Sequence, residues 1–319
     1  MPVTFPPPAE GTRVAWHDVP EPVRNAIERI CGGAVSEALT QPGGFSPGVA
    51  ARVRCANGTR CFVKAVSAEA NPDSPVIHRA EAAVLAGLRP LITDGRLPAP
   101  RLWGTVDLPP WFALVTDLVD GYQPAVPWQD SELKRVLAAV DQLADTLTPA
   151  PVGVATFAEK HAANFSGWRT LAAQPPGDEL DPWSRTHLSD LAALEATWVR
   201  YAAGSTLLHC DIRADNLLLT DSRVVFVDWP GACRGAAFLD LVWFAPSVTM
   251  QGGPEPGKLL ARTRTGSAVS REALTAVVCA LAGFFTEHAL RPPPPGIPGV
   301  RAFQAAQGEV ARRWLAELL

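Results

Sequence analysis

Residues Leu207–Asp228 constrain this chain more than any other stretch of it. Three polar side chains at fixed spacing, His209-x-Asp211-x-x-x-x-Asn216, stand beside a short apolar run. A β-like hairpin over Asn216–Thr220 and Val224–Val227 then carries the chain on to Asp228 and Trp229. A fold that accepts this segment places two carboxylates and an amide on adjacent loops. That grouping suits phosphoryl transfer. One carboxylate lies by the attacking hydroxyl, positions it and takes its proton, while oxygen ligands hold Mg²⁺ against the phosphate chain. A positioned proton acceptor contributes about 10²–10⁴-fold in rate.

The rest of the chain divides in two. Its 319 residues suffice for one large domain or two lobes. Residues 1–20 are Pro-rich and are expected to be loosely ordered, and a short helix is expected at Glu21–Cys31. Gln41–Gly48 reads as a Gly/Pro loop. Val49–Cys55 and Arg60–Val66 read as strands joined by a two-residue turn at Asn57-Gly58, which would set Cys55 opposite Arg60. Pro75–Leu88 follows as a helix, with Arg101–Val106 and Trp111–Thr116 as two further strands. Beyond Asp120-Gly121 the pattern is helical: Gln129–Leu147, Asp181–Ala203, Leu239–Met250, Ser270–Ala289 and Val300–Leu319, with Pro292–Pro298 as a stop between the last two. Strands first and helices second predict an α+β protein of two lobes with a cleft between them, a β-rich lobe over 1–120 and a helical lobe over 121–319.

On the segment His209-Cys210-Asp211-Ile212-Arg213-Ala214-Asp215-Asn216, followed by Asp228, the chain resembles the aminoglycoside phosphotransferase family, which shares its fold with protein kinases. The likeness runs over roughly residues 34–250. It implies that Asp211 is the catalytic base, that Asn216 and Asp228 are metal ligands, and that His209 holds the loop. Arg213 stands where protein kinases carry a Lys facing the transferred phosphate; a plain salt bridge is the other reading. Asp240, in Phe238-Leu239-Asp240-Leu241, resembles a family Asp that braces the catalytic loop.

Upstream partners test this reading. A kinase needs a cation for the α- and β-phosphates. Lys64 interrupts an apolar strand, where an unpaired charge is costly. Glu81 on the next helix is its expected partner, with Glu69 a weaker competitor. Gly43, Gly44 and Gly48 would let backbone N–H groups approach phosphate, and Ser46 would add a hydroxyl. The loop fits neither G-x-G-x-x-G, because Phe45 holds the second Gly position, nor the Walker pattern, because Gly48 is followed by Val49-Ala50. It does satisfy the family's looser Gly-Gly-x-Ser. Leu114–Gly121 resembles the hinge between lobes, with Asp117 and Val119 meeting the adenine edge through main-chain atoms. Trp229 replaces the Phe of D-F-G. Only twelve positions separate Asp228 from Asp240, too few for a long activation loop.

Composition narrows the class. The net charge of −4 has no basic block behind it, so nucleic acid and membrane surfaces are not expected partners. The N-terminus lacks a signal-peptide pattern. The apolar stretch Ala273–Phe285 is too short to cross a bilayer. Cys31, Cys55, Cys61, Cys210, Cys233 and Cys279 contain no C-x-x-C pair. They read as reduced buried thiols of a cytoplasmic protein rather than as a zinc site.

The expected activity is therefore ATP- or GTP-dependent, Mg²⁺-dependent phosphorylation of a small-molecule hydroxyl, with no protein partner evident. The resemblance points to an antibiotic, hence resistance or self-protection. Scattered acids (Glu195, Glu287, Glu309, Glu317) beside Trp168, Trp183, Trp198, Trp243, Arg301 and Trp314 lean away from a polycation, toward a nucleoside or peptide type. A metabolic homoserine, choline or fructosamine kinase and a non-catalytic pseudokinase are the alternatives. A pseudokinase predicts a missing Lys, base or metal ligand.

Overall fold

The computed structural model describes residues 12–319; residues 1–11 of the Pro-rich stretch lie outside them. In chain order the first part builds α1 (Glu21–Cys31), β1 (Val35–Thr40), β2 (Val49–Cys55), β3 (Arg60–Ser67), α2 (Ser74–Thr93), β4 (Leu102–Leu108) and β5 (Trp111–Asp117). The strands form one antiparallel sheet in the order β1-β2-β3-β5-β4. Alternation along β3 decides what the sheet does. Cys61, Val63 and Ala65 are fully buried against α1, whose Val23, Ile27 and Cys31 recur every fourth residue on one stripe. The residues between them, Phe62 and Lys64, necessarily face the other way. Lys64 lies opposite Ala50 on β2 and Leu114 on β5, so one face of the sheet is core and the other is the roof of a cleft.

One strand was not expected and one turn needs correction. Strand β1 has no clear alternation signal, because Val35–Thr40 is an edge strand with mostly exposed side chains. The β2–β3 turn has three residues rather than two. Arg54 pairs with Arg60, and the Cys55 N–H donates to the Thr59 carbonyl, so Cys55 faces Thr59. Asn57 accepts the Thr59 N–H through its side chain, and Gly58 takes φ +86°, the left-handed residue that a bulged three-residue hairpin requires.

The second part is helical: α3 (Asp130–Thr146), α4 (Phe157–His161), α5 (Gly167–Ala173), α6 (Pro182–Glu195) and α7 (Val199–Ala202). Short strands β6 (Thr206–Leu208), β7 (Leu217–Leu219), β8 (Val224–Phe226) and β9 (Cys233–Gly235) follow, pairing as β6–β9 and β7–β8. The chain ends with α8 (Leu239–Met250), α9 (Pro256–Leu260), α10 (Arg264–Ser267), α11 (Arg271–Ala289) and α12 (Val300–Leu318). The helix expected over Asp181–Ala203 is broken after Glu195. That carboxylate is fully buried and accepts the N–H groups of Trp168 and Arg169 at the start of α5. Trp168, Trp198, Trp229, Trp314, Phe157 and Phe165 are buried in one core with α11 through its middle. Among the described residues no helix is long and apolar enough to cross a membrane.

The Pro-rich segment between α11 and α12 does more than stop a helix. The Pro295 carbonyl accepts the Asn71 side-chain amide at 3.0 Å, and the Gly296 carbonyl accepts the Thr12 N–H at 3.0 Å. It ties the helical part back to the sheet-bearing part.

Candidate active site

The site begins with the cation that β3 points into the cleft. Lys64 Nζ donates to both Glu81 oxygens, at 2.8 and 2.9 Å, and to Asp228 Oδ1 at 2.8 Å. Glu81 comes from α2, whose Ala82 packs on Val66, Phe112 and Leu114 under the sheet. Asp228 comes from the other lobe, directly after β8, with φ +69°. Burial works against the Lys64 charge, but Asp228 and Glu81 outweigh it and raise the ammonium pKa. Burial likewise pushes the Asp228 carboxyl up, yet the Lys64 ammonium overcomes this and holds it down at about 2. Both groups are thus charged at neutral pH, and the ion pair joins the lobes. Glu69 is not part of it.

Opposite stands the loop that β6 delivers. Asp240, at the start of α8, accepts the N–H of His209 at 2.9 Å and of Cys210 at 2.7 Å. The His209 ring Nε2 meets the Val227 carbonyl at 3.0 Å, and its Nδ1 faces the Asp211 N–H at 3.3 Å. With Nε2 as donor and Nδ1 as acceptor, one neutral tautomer serves both. Burial keeps it neutral, lowering its pKa to about 4. Cys210 turns the chain through φ +58° and presents Asp211.

Asp211 is held from two sides. Asn216 Nδ2 donates to its carbonyl at 2.8 Å and to Oδ2 at 2.9 Å. Arg213 donates to its Oδ1 at 2.5 Å and binds Asp215 through Nε and Nη2, both at 3.0 Å. Burial dominates the Asp211 carboxyl and raises its pKa to about 7, against the pull of the Arg213 charge. A carboxylate that ionises near neutrality is matched to proton acceptance. Asn216 Oδ1 and the second oxygen of Asp228 remain as hard oxygen donors, a set that fits Mg²⁺.

Between these walls lies a cleft of about 390 Å³. Gly43, Gly44 and Ser46 line it from the loop before β2, as do Asp117 and Val119 from the connector, beside Leu114 and Leu218. The main-chain groups of Val119 take no hydrogen-bond partner among the described residues, whereas the Asp117 side chain is engaged by Arg101 and Trp103. Gly48 does not line the cleft. Its φ is +126°, and a Cβ there would stand 2.4 Å from the Ala65 carbonyl, so glycine is required for strand approach.

Two residues of the site carry no sequence signal. His78, one turn before Glu81, lines the cleft as a buried neutral imidazole bonded to the Ser74 carbonyl at 2.8 Å. Arg13 crosses under the glycine loop, donating to the Gly43 carbonyl and, at 2.5 Å, to that of Ser46. It lines the cleft within electrostatic reach of Asp228. No motif marks it, because its contacts lie some thirty positions away in the chain.

The chain has relatives. The sequence profile described as the phosphotransferase enzyme family matches residues 48–275, well over half the chain. An aminoglycoside phosphotransferase from Alicyclobacillus acidocaldarius subsp. acidocaldarius DSM 446 has a similar structure, at 17% identity and TM-score 0.56, over 89% of this chain and 91% of that one. So does a thermostable mutant of aminoglycoside phosphotransferase APH(4)-Ia, in ternary complex with ADP and hygromycin B, at 14% identity and TM-score 0.59, over 91% and 98%. A putative fructosamine-3-kinase from Haemophilus somnus 129PT matches at 12% identity and TM-score 0.58, over 92% and 96%. No curated protein matches the chain. At these identities the structures establish the α+β, protein-kinase-like bilobal fold, and the profile establishes the kinship. The chain belongs to the phosphotransferase enzyme family, and it is a small-molecule phosphotransferase with an alcohol group as acceptor.

Proposed function

We propose that this enzyme transfers the terminal phosphoryl group of ATP or GTP to a hydroxyl of a small antibiotic, giving resistance or self-protection. The observation that carries the reading is the juxtaposition across one cleft. Lys64, tethered by Glu81 and Asp228, lines the cleft, as does Asn216, which bonds Asp211 just behind it. Lys64 neutralises the α- and β-phosphates. The loop of Gly43, Gly44 and Ser46 covers the phosphate chain, and Gly48 sets its strand. The Asp117 carbonyl and the Val119 main chain receive the base, the Asp117 N–H being taken by the Arg101 carbonyl. Asn216 and Asp228 would hold Mg²⁺, which when bound draws charge from the phosphate oxygens. Asp211 orients the acceptor hydroxyl and takes its proton. Arg213, bonded to Asp211 and Asp215, would balance charge developing on the transferred group.

Two of the four scattered acids of the helical part are already engaged, which supports a substrate other than a polycation, while Glu309 and Glu317 are exposed. Glu195 is consumed in capping α5, and Glu287 is paired with Arg291 at 2.7 Å and lies 3.0 Å from His288. Trp168, Trp198 and Trp314 are core residues and offer no surface to a substrate. Trp183 is half-buried; Trp243, also half-buried, stacks on Phe165 and packs against Phe157, Phe284 and Phe285.

Nucleotide turnover with Mg²⁺ should be measured against a panel of aminoglycoside, nucleoside and peptide antibiotics, with homoserine, choline and fructosamine as metabolic acceptors. We expect an antibiotic acceptor to stimulate turnover, and Asp211→Asn to lose about 10²–10⁴-fold of it. Stimulation by a metabolic acceptor alone would move the enzyme out of the antibiotic class. Unchanged turnover in Asp211→Asn would exclude the mechanism.

A further inference from the structure

Directly behind the catalytic loop, three elements converge on a second cluster. His161 ends α4, Cys210 precedes Asp211, and Cys233 opens β9. One ligand atom from each lies within 4.8 Å of the others, and the two sulfurs are 3.2 Å apart. All three are buried: His161 is 8% exposed, Cys210 5% and Cys233 0%. A neutral imidazole has one donor and one acceptor nitrogen, and a buried one normally satisfies both. In His161 neither Nδ1 nor Nε2 has a hydrogen-bond partner among the described residues. The other buried imidazoles behave differently: those of His78, His209 and His288 each bond a backbone carbonyl. The orphaned ring and the thiol pair are separate observations, and both are resolved by one ion.

We propose that His161, Cys210 and Cys233 form a binding site for one Zn²⁺. Two sulfurs and an imidazole are soft or borderline donors, which disfavours Mg²⁺ or Ca²⁺. Tetrahedral coordination with Zn–S near 2.3 Å separates two sulfurs by about 3.8 Å, so the sulfurs part slightly and the ring moves inward. The fourth position is left to a water. Charge selects the oxidation state. Zn²⁺ with two thiolates and a neutral ring is uncharged overall, whereas a monovalent cation would leave a negative centre beside the Asp240 carboxylate. Binding displaces the two thiol protons to solvent, with no change of redox state. The walls are already tied without the ion. Lys160 Nζ, next to His161, donates to the carbonyls of Pro230 and Ala232 at 2.8 and 3.2 Å, just before Cys233. Burial holds the His161 imidazole neutral, with its pKa lowered to about 4. Because Cys210 adjoins Asp211, the ion would stiffen the backbone that presents that carboxylate.

The test uses the full chain, stripped with a chelator under reducing conditions and titrated with Co²⁺ as a spectroscopic probe, then with Zn²⁺. One equivalent of Co²⁺ should give a thiolate charge-transfer band in the near ultraviolet and visible bands of tetrahedral cobalt, both abolished by one equivalent of Zn²⁺. Cys233→Ser should remove at least half of the charge-transfer intensity. His161→Phe, which suits a ring packed on Phe157 and Trp243, should weaken Zn²⁺ binding at least about tenfold while leaving the far-ultraviolet circular dichroism unchanged. No band at one equivalent overturns the proposal, as does a band that survives in the His161→Phe, Cys233→Ser double variant. So does binding of Cu(I) without Zn²⁺, or a Cys210–Cys233 disulfide found by mass spectrometry in the protein as purified.

Discussion

In the proposed mechanism the Asp211 carboxyl sets the pH behaviour of the site. It ionises near 3.8 in a solvated chain and at about 7 in the fold, because burial outweighs the favourable charge of Arg213. Between those values the folded chain holds one proton more than the unfolded chain, so this group's contribution to stability falls as pH rises. Over the upper end of the same window the carboxylate proposed as proton acceptor becomes ionised. We expect kcat/KM to rise with pH through a midpoint near 7. Arg213→Ala should move that midpoint upward, because the charge that favours ionisation is gone; a pH–rate profile of both proteins checks this. Lys64 is a second decisive residue. Its side chain is 15% exposed and that of Glu81 only 3%. Lys64→Met leaves two carboxylates facing each other with no cation, and should lower stability by about 3–5 kcal/mol, measured as a shift in the urea midpoint.

At the scale of elements, the contact between the glycine loop and α12 stands out. Phe45 at the loop tip meets Phe303 of α12 edge to face, with ring centroids 5.2 Å apart. The Arg213 guanidinium lies over both rings, at 5.4 and 5.7 Å. The loop that would cover phosphate is therefore steadied by a helix from the far end of the chain. Ring pairs of this kind are worth about 0.5–1.5 kcal/mol. Phe303→Leu preserves most of the apolar volume beside Met250 and Val310 but removes the ring contacts. Nucleotide affinity should fall by up to about tenfold, read by calorimetric titration, with acceptor affinity little changed. Most elements were legible in the chain itself: α1 and α8 are found at their expected bounds, and β2, β3, β5 and α11 within a residue or so. Their signals are local, a period of two or of 3.6 closed by a turn or cap. Strand β1 was not legible, because an exposed edge needs no apolar alternation. The break after Glu195 was not legible either, because its cause is the start of α5, well before it in sequence.

For the whole molecule, the lobes are joined by the Lys64–Asp228 pair, by the connector after β5 and by the Pro-rich segment that meets Asn71 and Thr12. A nucleotide with Mg²⁺ would add contacts to both walls at once. Thermal unfolding should then shift upward on adding Mg²⁺-nucleotide, corresponding to about 2.7 kcal/mol at a concentration one hundred times Kd. Chelation of the metal should remove most of the shift. Asp211→Asn should retain it while losing turnover, which separates binding from chemistry.

The sequence by itself determined the class of the fold and the residues proposed to carry the chemistry. Asp211, Asn216 and Asp228 fall within one short stretch, and Lys64 betrays itself as a charge in an apolar strand, so local chain order was enough to read them. Tertiary structure decided what surrounds those groups. It brought Glu81 rather than Glu69 to Lys64, set Cys55 against Thr59 instead of Arg60, and passed Arg13 beneath the glycine loop. It gathered His161, Cys210 and Cys233 behind the very segment from which the reading began. The reason is physical. A period or a turn is written in neighbouring residues, whereas a contact between distant residues is fixed only when the whole core has packed.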